Sequence, residues 1–535
     1  MTDALPLLVV VPIVLALAPI AAGRLRENTG WIAAAVAAVV HLGLSVSVAL
    51  TVRSAGRVSY AVGGYVPPFG IELVADGVSA ALVVLVSAVT LAVVVYARAA
   101  GPRSNTFYSE LLVLTAGISG MFVTADLFNL YVFLEITGLA TYALVATGRS
   151  PAAALAALKY LLVGTIGASL YLLGVGYLYI STGSLNMADL AGLLPEVGYD
   201  SPLILTGFAL IAVGLGVKTA LFPLHTWQPD AYAESPDSVA AYISALVSTA
   251  SAYALFRVLY TVFTPAFDAA VPVALDTLVV LASVSVVIGS VLAVLQSDLK
   301  RMLAYSSVSQ FGLVVAGFAV VNETALVGGL VHLVGHAVMK AGLFVAVGAL
   351  AAVAGGRTID DLAGMADRAP VVSAAFAVLA LALVGVPPAV GFAGKWHIVL
   401  GAVEGGRWIV AGVAIVSTLL TLAYFARVIE RLYFRDAPAP AGVAEQPDAT
   451  AAADADAALT ADGSGAGSGG SDADGTPGVD AGDVPDADAV DAPVSTVPMR
   501  ARLIVVAAAV AAVVLGVFAT DLIAAFEPVV EVSFQ

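Results

Sequence analysis

A chain of 535 residues that is 60% hydrophobic and only 11% charged is too apolar for a soluble protein of its size. Cysteine is absent, which excludes disulfides and thiolate sites for iron–sulfur clusters or structural zinc, so the chain is not expected to carry redox chemistry by itself. The net charge of −16 is concentrated in one late tract rather than spread over a surface.

Apolar runs of about 20 residues, each long enough to cross a bilayer core, recur from end to end. They predict an all-α polytopic membrane protein with fourteen spans, at 4–22, 30–52, 74–97, 107–124, 126–147, 155–181, 202–224, 238–262, 271–295, 302–320, 324–354, 371–403 (interrupted), 408–432 and 501–526. The first run lacks a basic leader and is followed at once by further spans, so it reads as a span and not a signal peptide. Between Asp436 and Met499 there is no Lys or Arg, and aspartates punctuate an Ala/Gly/Ser tract that cannot bury a core. That tract is expected to be a disordered linker, and its excess of Asp over Lys reads as an adaptation to a salt-rich cytoplasm, as in a halophilic archaeon. Its glycines around Gly463 to Gly470 have no strand or GK[ST] beside them and do not form a phosphate loop.

Orientation follows from the basic residues of the connections. Odd-numbered connections carry Arg24, Arg26, Arg98, Arg103, Arg149, Lys159, Lys300, Arg301, Arg357 and Arg368, with Arg427, Arg431, Arg435, Arg500 and Arg502 around the acidic tract. Even-numbered ones carry only Arg53, Arg57, Arg257 and Arg407. Both termini are therefore expected outside the cell membrane and the linker in the cytoplasm.

The stretch VGLGVKTALFPLHTWQPDAYAESP, residues 213–236, places Lys218 inside the seventh span and breaks it at Pro223. The twelfth span, LALVGVPPAVGFAGKWHIVL, breaks at Pro387 and Pro388 and carries Lys395. Paired interrupted helices five spans apart point to inverted repeats. The expected units are residues 1–103 (helices 1–3), 104–265 (a first five-helix repeat, helices 4–8), 266–435 (a second, inverted repeat, helices 9–13), 436–499 (the linker) and 500–535 (helix 14).

The chain has five lysines against seventeen arginines. Arginine keeps its proton at any accessible pH, whereas a buried lysine can release it. Lys218, Lys340 and Lys395 lie within spans and are candidates for proton exchange; Lys159 and Lys300, near span starts, read as snorkelling anchors. Glu135 lies in mid-membrane in the fifth span and is the natural partner of Lys218, since each charge favours the ionised form of the other. A static ion pair between helices is the competing reading. In HLVGHAVMK, spacings of four put His332, His336 and Lys340 on one helix face, as in a proton wire. Two histidines at this spacing can also hold zinc or be structural, but no carboxylate or cysteine nearby completes a metal site. His225 and His397 follow the two breaks, where they either line half-channel mouths or cap the interface.

The stretches FNLYVFLEITGLATYALVA, KTALFPLHTWQPDAYAESP, SDLKRMLAYSSVSQFG, HLVGHAVMKAGLF and GVPPAVGFAGKW resemble the antiporter-like subunits shared by Mrp-type multisubunit cation/proton antiporters and respiratory complex I. The resemblance runs from about Asp76 to Phe434 and, through ATYALVA and the lack of a long C-terminal lateral helix, is strongest to the D-subunit branch of the Mrp type. It implies fourteen helices with two inverted five-helix bundles, Glu135 and Lys218 as the functional ion pair, Lys340 with the preceding histidines as central carrier, and Lys395 as terminal proton site. One departure is serious: the eighth span has Thr249 where the family usually places a lysine that passes protons between bundles. Ser244, Ser248 and Ser251 share a face and could hold water there, but a hydroxyl cannot store charge. Gln228 and Ser235 also depart from the pattern.

The function expected is a proton-translocating subunit of a multisubunit Na⁺/H⁺ antiporter: a secondary-transporter subunit, without cofactor or metal, partnered by other membrane subunits, protons, Na⁺ and lipid and not by nucleic acid. The alternatives are the non-redox pump subunit of a complex I-like or hydrogenase-like translocase, and a scaffold that no longer conducts.

Overall fold

The computed structural model describes residues 4–25, 29–148, 150–436 and 496–534. The acidic linker, 437–495, lies outside the described residues, as do Arg26 and Arg149 of the orientation argument. Thirteen helices among the described residues are long and apolar enough to cross a membrane. The twelfth expected span forms two shorter helices, Pro370–Val384 and Val390–Glu404, on either side of its break. With that broken pair the expected fourteen are all present.

Local chemistry explains where the helices begin and end. Asp76, Ser104, Asp126, Ser150, Asp298 and Asn322 each accept a backbone N–H from the first turn that follows, satisfying donors that have no partner inside the helix. Gly183 and Gly355 end the 32-residue sixth and eleventh spans in left-handed conformations, with φ of 76° and 83°.

Three elements differ from the sequence reading. Val58–Ala61 and Glu72–Ala75 form an antiparallel hairpin between the second and third spans, with Val58 opposite Ala75. A short helix, Met187–Val197, sits in the connection between the sixth and seventh spans. The last expected span stops at Val517, and a separate helix, Ala519–Phe534, follows.

The eighth (Asp237–Ala270), tenth (Leu299–Ala319) and eleventh (Glu323–Ala354) spans form the centre and are almost wholly buried, while the first two and the last expose apolar side chains around the rim. Buried Ser, Thr and Gly along these central helices fit close approach of neighbouring helices. At Gly328 an added Cβ would lie 2.5 Å from the backbone nitrogen of Ile398. The odd-numbered connections converge on one end of the bundle, where Gly101, Thr147, Asp237, Asp298, Arg357 and Pro498 line one cavity. The hairpin and the connections at Thr124 and Asn186 join at the other end through the bridges Leu73–Thr124 and Asp126–Asn186.

Candidate functional site

The seventh span is helical from Pro202 to Thr219 and resumes as Gln228–Glu234. At the break Ala220 takes φ 63°, a left-handed conformation that costs a residue with a side chain about 1 kcal/mol or more. The backbone groups released there are paired inside the protein. The indole of Trp227 donates to the Val217 carbonyl at 2.9 Å, and the Phe222 N–H donates to Ser285 Oγ at 3.1 Å. A broken helix needs such partners within a membrane.

Lys218 lies in the last turn before this break, 5% exposed. Its Nζ donates to the Tyr142 hydroxyl at 3.1 Å and stands 3.8 Å from Glu135 Oε1. At that separation the pair is an ion contact and not a hydrogen bond. Glu135 Oε1 has no hydrogen-bond partner among the described residues. Gly138, one turn further along the fifth span, leaves room for the ammonium, since a Cβ there would be 3.2 Å from Nζ.

The second cluster lies along the eleventh span. Lys340 is fully buried, and its Nζ donates to the Leu303 carbonyl at 2.6 Å and to Ser306 Oγ at 2.9 Å. Ser306 Oγ also receives the Tyr424 hydroxyl at 2.9 Å. No carboxylate of the described residues forms a salt bridge with this lysine. One turn back, His336 packs edge-on against Phe311, centroids 4.6 Å apart, with neither ring nitrogen hydrogen-bonded. One turn further, His332 pairs through Nε2 with Gln310 Oε1 at 2.9 Å and leaves Nδ1 free. Buried polar atoms without partners are rare in proteins and mark places where water or an ion is accommodated.

The twelfth span meets this row at its break. Gly394 packs so closely on His332 that a Cβ would fall 2.6 Å from the histidine Cβ. The next residue, Lys395, donates to the Leu383 and Val384 carbonyls at 2.8 and 3.0 Å, the last carbonyls of the first half-helix. Lys395 is 6% exposed. Lys340, His336, His332 and Lys395 are thus brought together in order along one helix–helix contact.

Three other candidates are placed less productively. Thr249 donates only to Ala245 of its own helix, at 2.6 Å. His397 Nδ1 pairs with the Ala393 carbonyl one turn back, at 2.8 Å, which is a local cap. His225 sits against the rings of Phe222 and Tyr305 with Nδ1 unpaired. Of the three serines of the eighth span, Ser244 and Ser251 bond back to their own helix. Ser248 receives Gln228 Nε2 at 3.1 Å, and the same amide reaches Tyr232 at 3.0 Å. The unusual Gln228 therefore links the broken seventh span to the eighth.

Sequence reasoning missed a charged network at the end where the odd connections gather. Lys159 and Arg301 bind Asp230, both at 2.7 Å, and Arg301 also binds Glu234 at 3.0 Å. Lys300, read as a snorkelling anchor, is instead 1% exposed and bonded to the Ser235 carbonyl at 2.5 Å and Asp237 at 3.2 Å. It sits in the first turn of a central helix whose neighbours cover it, which its position near a span start could not reveal. His41 was also passed over; it is buried among Leu8, Ser87 and Ser119 near the N-terminal spans.

The family profile described as NADH:quinone oxidoreductase/Mrp antiporter, TM, matches residues 124–421, which contain both lysine clusters and both breaks. The chain belongs to this family. NADH-quinone oxidoreductase subunit N of Desulforudis audaxviator (strain MP104C) is 46% identical over 457 residues, covering 84% of this chain and 90% of that one. The Na(+)/H(+) antiporter D subunit of Bacillus subtilis (strain 168) is 31% identical over 398 residues, 73% of this chain and 79% of its own. A chain in the structure of the Mrp complex from Dietzia sp. DQ12-45-1b superposes with a TM-score of 0.82 at 27% identity, covering 100% of this chain and 99% of that one. Like these relatives, this member of the NADH:quinone oxidoreductase/Mrp antiporter family is a multi-pass membrane subunit.

Proposed function

We propose that this family member translocates protons through its buried lysines as a subunit of a multisubunit Na⁺/H⁺ antiporter. The observation that carries the reading is the row Lys340–His336–His332–Lys395, whose ammonium groups are buried against neutral partners and whose imidazoles have unpaired nitrogens. An ionisable group inside a span is a functional candidate by default. A lysine there without a counter-ion is better suited to gaining and losing a proton than to holding helices together.

In this mechanism a proton loads Lys218 while Glu135 is near. Movement of the carboxylate away leaves the ammonium unpaired in a low-dielectric site and favours release of its proton. Water carries the proton to Lys340, His336 and His332 pass it along the row, and it leaves through Lys395. The proposal includes the inverted pairing of residues 104–265 with 266–435. It also places the end bearing the odd-numbered connections in the cytoplasm, in keeping with its basic residues. The test is to purify the intact complex, seal it in vesicles and ask whether an imposed Na⁺ gradient moves protons. Proton movement lost on replacing Lys340 with Ala, with the complex still assembled, is the expected result; unchanged exchange in that variant rejects the mechanism.

A second reading is favoured by one observation, the 46% identity to an NADH-quinone oxidoreductase subunit N. The same proton path would then be driven by electron transfer in a partner subunit, and an electron donor, not a Na⁺ gradient, would move protons in the same vesicles.

A further inference from the structure

The end of the bundle that collects the odd-numbered connections encloses a cavity of about 1090 Å³, lined by Tyr96, Thr147, Asp237, Asp298 and Arg357 among others. Asp237 joins this cavity to a side chain that no role has yet claimed. Its Oδ1 is 3.0 Å from Arg357 Nη1 and 3.2 Å from Lys300 Nζ, while its Oδ2 accepts Arg357 Nη2 at 3.3 Å. The Arg357–Asp237 contact is two-pronged, and its guanidinium keeps its proton.

The charge balance singles out Lys300. Lys159 and Arg301 face Asp230 and Glu234, two cations to two carboxylates. Asp298 accepts the Arg301 backbone N–H at 2.7 Å and caps its helix. Asp237 bonds two cations, Arg357 and Lys300, and Lys300 also lies in the field of the Asp298 carboxylate. If Lys300 gives up its proton, Asp237 remains paired with Arg357, and the neutral amine can still donate to the Ser235 carbonyl.

Lys300 also points the way inward. It lies three residues, about 4.5 Å of helix rise, from Leu303, whose carbonyl holds Lys340. On the facing helix, Gly348 leaves space for the same group: a Cβ there would lie 2.7 Å from Asp237 Oδ2 and 2.6 Å from the Tyr96 hydroxyl.

We propose that the Lys300–Asp237 pair is a proton-binding site that connects this cavity to Lys340. It would give the second half of the chain its own access to the basic face, in place of transfer through Thr249. Hydronium in the cavity protonates the free amine of Lys300, forming an Nζ–H bond and leaving water. Lys300 then passes one proton through water to the amine of Lys340 and returns to its neutral form. The inference rests on Lys340 being a proton carrier.

The absence of cysteine from the chain makes the test direct. Proton movement is measured in vesicles holding the intact complex with Lys300→Arg, Lys300→Cys, Asp237→Asn or Lys340→Ala. Lys300→Arg keeps the cation but cannot release its proton, so it assembles and loses proton movement to background. Lys300→Cys loses it too and regains it after aminoethyl methanethiosulfonate restores an ammonium, only when the reagent is applied at the basic face; the unsubstituted complex does not respond. Asp237→Asn keeps the shape and slows transport. Wild-type rates in Lys300→Arg and Lys300→Cys, with Lys340→Ala inactive, overturn this inference alone. Wild-type rates in Lys340→Ala as well overturn the carrier reading beneath it.

Discussion

Lys395 Nζ lies 2.8 Å from the carbonyl oxygen of Leu383, closing the end of a half-helix that has no further turn to donate to its last carbonyls. One side chain thus serves the backbone and sits where the proton path is proposed to end. Replacing it separates the two tasks. Lys395→Leu should abolish proton movement and also destabilise the chain by about 1–3 kcal/mol through the unpaired carbonyls. Lys395→Arg should retain most stability and lose transport, as read by vesicle assays beside thermal unfolding of the purified complex.

The 3.8 Å gap between Lys218 and Glu135 predicts a dynamic pair. Lys218→Ala should end transport while leaving assembly intact. Glu135→Gln keeps the shape and should slow transport without altering yield. Proton movement at the wild-type rate in both variants would assign the pair to helix packing.

Thr249 donates to a carbonyl of its own helix, and among the described residues no bond from its hydroxyl reaches another helix. Thr249→Val, of nearly equal shape, should leave transport rates unchanged. A marked loss would show that the hydroxyl takes part in passing protons between the two halves.

Asp76 and Arg257 form a buried ion pair where the third and eighth spans meet. Burial pushes the Asp76 carboxyl up, but the Arg257 guanidinium and the Ser79 backbone N–H outweigh it and hold the group below the usual carboxylate range. A carboxyl depressed in the folded state adds stability that is present above its unfolded pKa and lost as pH falls through the folded value. Asp76→Ala should cost about 3–5 kcal/mol by leaving the guanidinium buried alone. The unfolding temperature of the native complex should fall on acidification, and that of the variant should fall less.

Gly394 permits the eleventh and twelfth spans to meet at His332. Gly394→Ala forces a Cβ to within 2.6 Å of the histidine Cβ and should cost about 1–3 kcal/mol by overpacking. Because the shift moves Lys395 relative to His332, transport should fall further than stability. Equal losses in thermal unfolding and vesicle transport would make the contact purely structural.

Much of the site was legible because membranes make charge conspicuous. Lys218, Lys340 and Lys395 stand out in apolar runs, and the spacing of His332, His336 and Lys340 follows from helical geometry. Lys300 and Asp237 were hidden for the opposite reason. They sit beside connections, where charge is ordinarily solvated, and only the packing of neighbouring helices buries Lys300 against Asp237. Thr249 and Gln228 both stand out as departures from a pattern, but only the fold shows that Gln228 bridges to the eighth span through Ser248.

The chain's own residues determined that it is a multi-pass helical membrane protein, where two of its helices break, and which few groups inside them are candidates for proton exchange. Those properties depend on local hydropathy, proline and charge, each legible within a turn or two of helix. Which groups meet was decided by the folded bundle: Lys340 with the Leu303 carbonyl, Lys395 with Leu383, and Lys300 with an aspartate 63 residues away. Such contacts bridge 12 to 63 residues of chain, beyond the turn or two that local sequence governs, and small residues at helix crossings set how closely the helices approach.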